Sequence, residues 1–167
     1  MKLNNQVRRR GCGGFTLTEV LIASSVSLTV LAVTVGVYVN IIKSWRGVDL
    51  RMQADRDVNI ALSRLAYGMD DRRGIRAAHT VTFTSNSAGW MVSYPTGVTT
   101  PQSNSITYSA TAKTLVFNPG AKTLGRNISF AKVYVQPHSL VVTLRVDRVD
   151  GTLQVQRTIG TEIFWRN

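Results

Sequence analysis

Cysteine and histidine are nearly absent from this chain of 167 residues. The single cysteine, Cys12, excludes an internal disulfide and a cysteine-rich zinc site. Two histidines, His79 and His138, are too few for a histidine-rich metal centre. Acidic residues are also scarce, because 9 of them face 20 Lys and Arg and leave a formal net charge of +11. This balance indicates an anionic partner, which is a membrane surface, a nucleic acid or an acidic protein.

Charge is missing altogether from one long segment near the N-terminus. The 20 residues from Val20 to Val39 carry no charged side chain, and a helix of this length spans the hydrocarbon core of a bilayer. Residues 1–14 before it contain basic residues and no acidic one. Because a basic flank stays in the cytoplasm, the part of the chain after the helix is expected on the other side. Part of the excess of basic residues therefore sets the orientation of the chain in the membrane and does not form a binding surface.

Two familiar interpretations of this segment each leave something unexplained. A cleaved secretory signal peptide has an apolar core of about 7–15 residues and a small-residue cleavage site, whereas this run is longer and no Ala-x-Ala pattern follows Val39. An ordinary single-pass anchor does not account for Glu19 at the edge of the apolar run. A carboxylate inside a membrane costs about 2.5–3.5 kcal/mol, so Glu19 is expected to have a partner.

A third interpretation comes from the segment Gly14 to Ala23, which reads GFTLTEVLIA. It closely resembles the prepilin signature of type IV pilins and type II secretion pseudopilins, in which a basic leader ends in Gly, Phe follows, and Glu precedes an apolar helix. The resemblance implies cleavage between Gly14 and Phe15 by a membrane prepilin peptidase, followed by N-methylation of the Phe15 amine. Cys12 would leave with the leader, and the apolar helix would stay attached to the mature chain.

Glu19 acquires a role in this interpretation, because a buried carboxylate needs a counter-charge. In an array of parallel helices within membrane lipid, the Phe15 amine of one subunit would meet Glu19 of its neighbour. Such a pair would set the register of assembly with other pilin or pseudopilin subunits.

The helix is expected to continue beyond the membrane, since no proline occurs before Pro95. Apolar residues recur mostly at helical steps of three and four; they are Ile41, Trp45, Val48, Met52, Val58, Leu62, Leu65 and Met69. This pattern predicts one helix from Phe15 to about Met69, apolar all round in its first half and amphipathic in its second. Trp45 is expected in the core, and Asp55 stands at the weakest step of the stripe. The run Asp70–Gly74 is predicted to end the helix as a solvated turn.

Alternation of apolar and polar residues replaces the helical period after Gly74 and predicts β-strands. The predicted strands are Thr80–Thr84, Ser105–Tyr108, Thr114–Phe117 and Ile128–Val135. Between Thr84 and Ser105, a stretch rich in Ser, Thr, Asn, Gly and Pro predicts a long surface excursion, with room for one short strand at Trp90–Tyr94. Its aromatic residues are expected to pack back onto the sheet or to mark a partner contact.

The clearest strand pair is a hairpin near the C-terminus. Asp150 and Gly151 separate the alternating runs Leu140–Val149 and Thr152–Ile159, and Asp-Gly is a strong signal for a two-residue turn. With Val149 opposite Thr152, one face would carry apolar residues, namely Val142, Leu144, Val146, Val155 and Ile159. Arg157 interrupts that face near its edge.

These elements predict an α+β fold, in which a long N-terminal helix packs on an antiparallel β-sheet, and this order resembles the pilin architecture. We expect a leader at residues 1–14, a transmembrane and filament-core helix at 15–42, and an extracytoplasmic domain at 43–167. The C-terminal hairpin and the closing run Phe164–Asn167 resemble J-type minor pseudopilins and related minor pilins. Many major pilins carry a proline in the apolar helix and a disulfide, so the lack of both favours a minor subunit. Within the apolar helix of this chain, Gly36 is the one residue of low helix propensity that could allow a bend.

Enzymatic activity and a cofactor are not predicted, because no catalytic constellation surrounds either histidine. The acid pairs Asp55/Asp57 and Asp70/Asp71 lack the spacing of a metal-binding loop. Nucleic acid stays an alternative partner, since a cluster of basic residues, Arg72, Arg73 and Arg76, suits phosphate groups. No aromatic residues are interleaved with that cluster in the sequence.

The sequence therefore predicts a structural minor subunit that initiates or caps a type IV pilus-like filament or a type II secretion pseudopilus. It would cross the cytoplasmic membrane once, with its N-terminus in the cytoplasm. A competence-type pseudopilin that contacts DNA and a plain single-pass anchor carrying a sheet domain are the alternatives.

Overall fold

A computed structural model of the chain describes residues 14–70, 72–97 and 102–165. It divides into two units, the first ending at Ser44 and the second beginning at Trp45. The described residues form one helix, α1 (Leu17–Tyr67), a short 3-10 turn (Ile75–Ala77) and ten strands. The strands are β1 (Gly68–Met69), β2 (Arg72–Arg73), β3 (Thr82–Asn86), β4 (Gly89–Thr96), β5 (Gln102–Ser109), β6 (Thr114–Asn118), β7 (Lys122–Gly125), β8 (Ile128–Val135), β9 (Ser139–Asp150) and β10 (Leu153–Phe164).

The predicted long helix is confirmed, and a glycine directly after it terminates the helix. Helix α1 ends at Tyr67, and Gly68 has a φ of 95°, the left-handed conformation that glycine adopts without strain. The solvated turn predicted at Asp70–Gly74 is present only in part, because Asp70 is an exposed turn residue whereas Arg72 and Arg73 belong to a strand. β1 pairs antiparallel with β2, and Gly74 is buried so close to the helix end that a Cβ on it would lie 2.4 Å from the carbonyl oxygen of Ala66.

The buried face of the second half of α1 differs from the predicted stripe. Its buried residues are Leu50, Ala54, Val58, Ala61, Leu62, Leu65 and Ala66. Trp45 and Met52 are 69% and 61% exposed, so their assignment to the core is wrong. The prediction was based on the largest apolar side chains. The residues that are buried begin at Leu50 and include three alanines. Small side chains allow a helix to approach a sheet closely, which is why alanine occupies the contact.

Two ion pairs explain the charged residues that interrupt the apolar faces. Asp55, on the predicted helix stripe, forms an ion pair with Arg157, on the predicted apolar face of β10, although their geometry is not that of a hydrogen bond. Asp57 Oδ2 accepts a hydrogen bond of 2.8 Å from Arg148 Nε on β9. Asp55 and Arg157, the two irregularities of the sequence pattern, are thus partners of each other, and both ion pairs join α1 to the hairpin of β9 and β10.

The strands form two larger antiparallel sheets where the sequence predicted one. Strands β3 to β7 make a five-stranded sheet in sequential order, and the order of the other sheet is β10-β9-β8. Two aromatic side chains connect them, because Trp90 Nε1 donates to the Ala131 carbonyl at 3.0 Å and the Tyr108 hydroxyl donates to the Ile128 carbonyl at 3.2 Å. The second half of α1 and both sheets contribute to one cluster of buried side chains.

The predicted long surface excursion between Thr84 and Ser105 is wrong, whereas the short strand expected within it at Trp90–Tyr94 is present as part of β4. Most of it belongs to β4 and β5, which pair with each other from Gly89–Ser109 to Thr96–Gln102. Trp90, Val92 and Tyr94 are buried and alternate with less buried residues, as a strand requires. Ser, Thr, Asn and Pro residues between Ser93 and Ser105 concealed the full length of the two strands, and the aromatic residues of β4 pack inward.

The predicted hairpin is present, but its register is shifted by two residues. Asp150 pairs with Leu153 and Val149 with Gln154, so Gly151 and Thr152 form the turn and Val149 does not oppose Thr152. Gly151, the first of the two turn residues, has a φ of 58°. A shift of two residues keeps every side chain on its face. The predicted apolar face therefore points inward, with Val142, Leu144 and Val146 buried and with Val155 and Ile159 packed against the core.

Buried Tyr94 makes the stability of the fold sensitive to alkaline pH. Its side chain is 1% exposed, its hydroxyl donates to the Arg73 carbonyl at 3.2 Å, and burial raises the pKa of the phenol. Above about pH 10 the unfolded chain releases this proton while the folded chain retains it, so stability falls as pH rises. We expect the stability advantage of wild type over Tyr94→Phe, about 1 kcal/mol at neutral pH, to be lost by about pH 11, because ionisation of the unfolded chain alone removes about 1.4 kcal/mol between neutral pH and that point.

Urea unfolding of both proteins across that range measures this difference. Tyr108, whose pKa burial also raises, is present in both proteins and cancels in the comparison. A difference that does not change with pH would show that the Tyr94 phenol ionises equally in both states.

Candidate functional site

The peptide bond between Gly14 and Phe15 lies outside the helix. Gly14, Phe15 and Thr16 precede α1, all three are exposed, and the Phe15 side chain is 79% exposed. A Cβ added to Gly14 would meet no atom within 4 Å. An exposed, non-helical bond is one that a peptidase can reach. The predicted leader otherwise covers residues 1–13, including Cys12, which lie outside the described residues.

Thr16 caps the first turn of α1. The backbone N–H of Glu19 donates to Thr16 Oγ1 at 3.3 Å, which satisfies a donor that the helix itself leaves free. The sequence Thr-x-x-Glu is the pattern of a capping box, and a carboxylate in the first turn also complements the helix dipole. The role of Thr16 as the cap was not predicted, although the spacing of Thr16 and Glu19 indicates it.

The first half of α1 presents apolar side chains in every direction. Helix α1 is long and apolar enough to cross a membrane, and no residue of its most apolar 18-residue stretch is buried. Leu21, Val30 and Val37 illustrate the pattern, with more than half of each side chain exposed. A helix with this surface is stable in lipid or when covered by other apolar helices.

Hydroxyl groups in this apolar half bond to the helix itself. Ser24 and Ser25 donate to carbonyl oxygens three residues earlier, and Ser27, Thr29 and Thr34 donate to carbonyl oxygens four residues earlier, at 2.8–2.9 Å. Their polar groups are therefore satisfied without water, which lowers the cost of placing them in an apolar environment.

The acidic and histidine candidates are dispersed over the second unit. His79 and His138 are exposed, Asp55 and Asp57 are held in ion pairs with arginines, and Asp70 pairs with Lys122. The hydrogen bond and charge of Lys122 lower the pKa of Asp70. Within residues 14–70, 72–97 and 102–165, no three His, Cys, Asp or Glu side chains are grouped so as to hold a metal ion. Asp71 lies outside that part of the chain.

The basic cluster, by contrast, has aromatic neighbours that the sequence does not reveal. Arg73 and Arg76 line a groove of about 520 Å³ together with Tyr67, Phe164 and Trp165. Arg76 Nη1 donates to the Tyr67 hydroxyl at 2.5 Å, and the guanidinium carbon lies 5.0 Å from the centre of the Tyr67 ring. Phe164 comes from the far end of the chain, so no local pattern could have predicted this arrangement. The side chain of Arg72, the third residue of the predicted basic cluster, lies outside the described part of the structure.

Comparisons with protein-family models, with curated proteins and with solved structures found no match.

Proposed function

We propose that the chain is a minor subunit of a type IV pilus-like filament or a type II secretion pseudopilus, and that it helps to initiate or cap assembly. One observation carries the proposal: the bond between Gly14 and Phe15 is exposed directly before the helix, and Glu19 stands in the first turn of the apolar half. The prepilin resemblance assigns a role to each of these residues.

A prepilin peptidase would cleave the chain after Gly14 and leave the helix intact. The product begins with Phe15, whose free amine lies next to the apolar surface of α1. Neutralising that amine requires an anion, and Glu19 of a neighbouring subunit is the acidic group that the motif supplies. Methylation of the amine keeps its positive charge and therefore preserves the pair.

The two halves of α1 would have different roles, the first as an anchor and the second as part of the extracytoplasmic domain. The first half would hold the subunit in the cytoplasmic membrane before assembly and in the filament core afterwards. Ala23, Ser27 and Ala32 are small enough for a neighbouring helix to approach closely, and a Cβ on Gly36 would meet nothing within 4 Å. The second half is covered by sheet and would carry the extracytoplasmic domain.

Intact-mass spectrometry of membrane-extracted protein tests the processing step. We expect the mass of a chain that has lost residues 1–14 and gained one methyl group. Gly14→Leu should retain the leader, because the prepilin signature has glycine directly before the cut, and it should fold normally because a Cβ at this position would meet nothing within 4 Å. A mature chain that begins after Ile42 would instead show a cleaved signal peptide and would contradict the proposal.

A further inference from the structure

Strand β10 forms an open edge of the three-stranded sheet. Its partner is β9, and the Trp165 N–H donates to the His138 carbonyl at 3.3 Å in continuation of that pairing. Along an antiparallel pair, residues that bond to the partner strand alternate with residues whose backbone groups point away. Because Trp165 bonds to the strand that continues into β9, the odd-numbered residues of β10 direct their backbone N–H and C=O groups to β9. The even-numbered residues direct theirs outward, and Thr158, Gly160 and Glu162 are exposed.

A groove runs between this edge and the side of α1. It has a volume of about 330 Å³ and is lined by helix residues such as Asn59 and Ser63 and by residues 159–164 of β10. Four of its lining residues, Ala66, Tyr67, Arg76 and Phe164, also line the larger groove that contains Arg73. The two grooves therefore adjoin, and together they form a channel that leads from an open strand edge to two guanidinium groups.

The cationic end of this channel is arranged for an anion next to an apolar group. Arg73 and Arg76 are exposed, and the stacking and hydrogen bond with Tyr67 hold Arg76 in place. Tyr67 and Phe164 expose 65% and 58% of their side chains beside these cations. Among the described residues that line the larger groove there is no carboxylate. Glu162, in the smaller groove, accepts a hydrogen bond of 2.5 Å from Ser139 Oγ.

We propose that this channel binds an extended acidic segment of a partner protein by strand addition to β10. The outward backbone groups at Thr158, Gly160 and Glu162 would pair with the backbone of the segment. An Asp or Glu of the segment would bind Arg76 and Arg73, and an apolar side chain would cover Phe164. A nucleic acid suits the arginines and aromatic rings but has no backbone amides to pair with a strand edge, so the open edge favours a peptide. The site is independent of processing at Gly14.

Fluorescence anisotropy with the full-length protein in detergent micelles tests the acidic requirement. The probe is a labelled peptide of about ten residues, long enough to cover the strand, with alternating Val and Thr and two terminal Asp. We expect it to bind, and the same peptide ending in Lys to bind far more weakly. Arg76→Gln should weaken binding about tenfold. Arg126→Gln removes the same charge from a separate groove and should change nothing. Equal binding of the two peptides would overturn the proposal.

Two further measurements test pairing at the strand edge. A probe with N-methylated backbone amides, which cannot pair along a strand, should not bind to the unchanged protein. Gly160→Pro removes one outward N–H without touching the ladder to β9, and it should weaken binding while the melting temperature confirms folding. Tighter binding of a single-stranded oligonucleotide that depends on Arg76 but not on Gly160 would replace the peptide with a nucleic acid and refute strand addition.

Discussion

Leu65→Asp is expected to unfold the second unit of the protein. Leu65 is fully buried in the cluster that joins α1 to both sheets. An unpaired carboxylate at that position must be either desolvated or protonated, and each costs several kcal/mol. Domains are stable by only about 5–15 kcal/mol, so this one change removes most of the margin. Leu65→Ala, which leaves only a cavity, should lower stability by about 2–5 kcal/mol and keep the fold.

Met52→Asp is the matched control on the same helix. Met52 is 61% exposed, and the structure places it outside the buried face although it lies on the stripe predicted from the sequence. Its replacement should change stability by no more than about 0.5 kcal/mol. Thermal unfolding of detergent-dispersed full-length protein, followed by near-ultraviolet circular dichroism, compares the three variants. If Met52→Asp unfolds the protein as Leu65→Asp does, Met52 belongs to the buried face of α1, as the sequence predicted.

The helix and the C-terminal strands could be predicted because their signals are local. An uninterrupted apolar run and the absence of proline before Pro95 indicate one long helix. Strand β8 has the predicted bounds Ile128–Val135, since Ile128, Phe130, Val133 and Val135 supply enough apolar residues in a short space. These predictions depended on the order of residues along the chain and on no tertiary contact.

The errors arose where a distant partner decides the outcome. Ala54 and Ala61 look neutral in sequence, yet a closely approaching sheet buries both completely. Asp55 looks like a flaw in the helix until Arg157 is placed beside it. The full lengths of β4 and β5 were missed because polar side chains on one face of a sheet resemble a loop in composition, and only pairing between neighbouring strands orders them.

The candidate site shows the same division between local and distant signals. Gly14, Phe15 and Glu19 were identified from a motif of adjacent residues, and the structure adds the cap made by Thr16. The groove beside Arg73 and Arg76 combines the end of α1, the segment after it and the end of β10. No spacing rule relates three segments so far apart in sequence, so only the folded chain reveals that aromatic rings accompany the arginines.

Replacement of Glu19 is expected to abolish most subunit incorporation without disturbing the helix. The cap hydrogen bond uses the backbone N–H of residue 19, so Glu19→Ala and Glu19→Gln both retain it. What they remove is the carboxylate, whose interaction with the helix dipole contributes only about 0.3–1 kcal/mol. Removing one partner of a buried ion pair costs about 3–5 kcal/mol. That cost lowers incorporation by roughly a hundredfold or more, whereas insertion into the membrane should become easier.

Crosslinking between neighbouring subunits in cell membranes measures this loss, with cleavage after Gly14 followed in parallel by intact mass. Cleavage should continue in both variants, because Gly14 and Phe15 are unchanged. Thr16→Val separates the cap from the charge, since it removes the hydroxyl that accepts the Glu19 N–H but keeps the carboxylate. It should crosslink nearly as well as wild type, because an N-cap contributes only about 1 kcal/mol. If Glu19→Gln crosslinks like wild type and Thr16→Val does not, the helix cap made by Thr16 matters for assembly and the Glu19 carboxylate does not. The chain would then be a plain membrane anchor that carries a sheet domain.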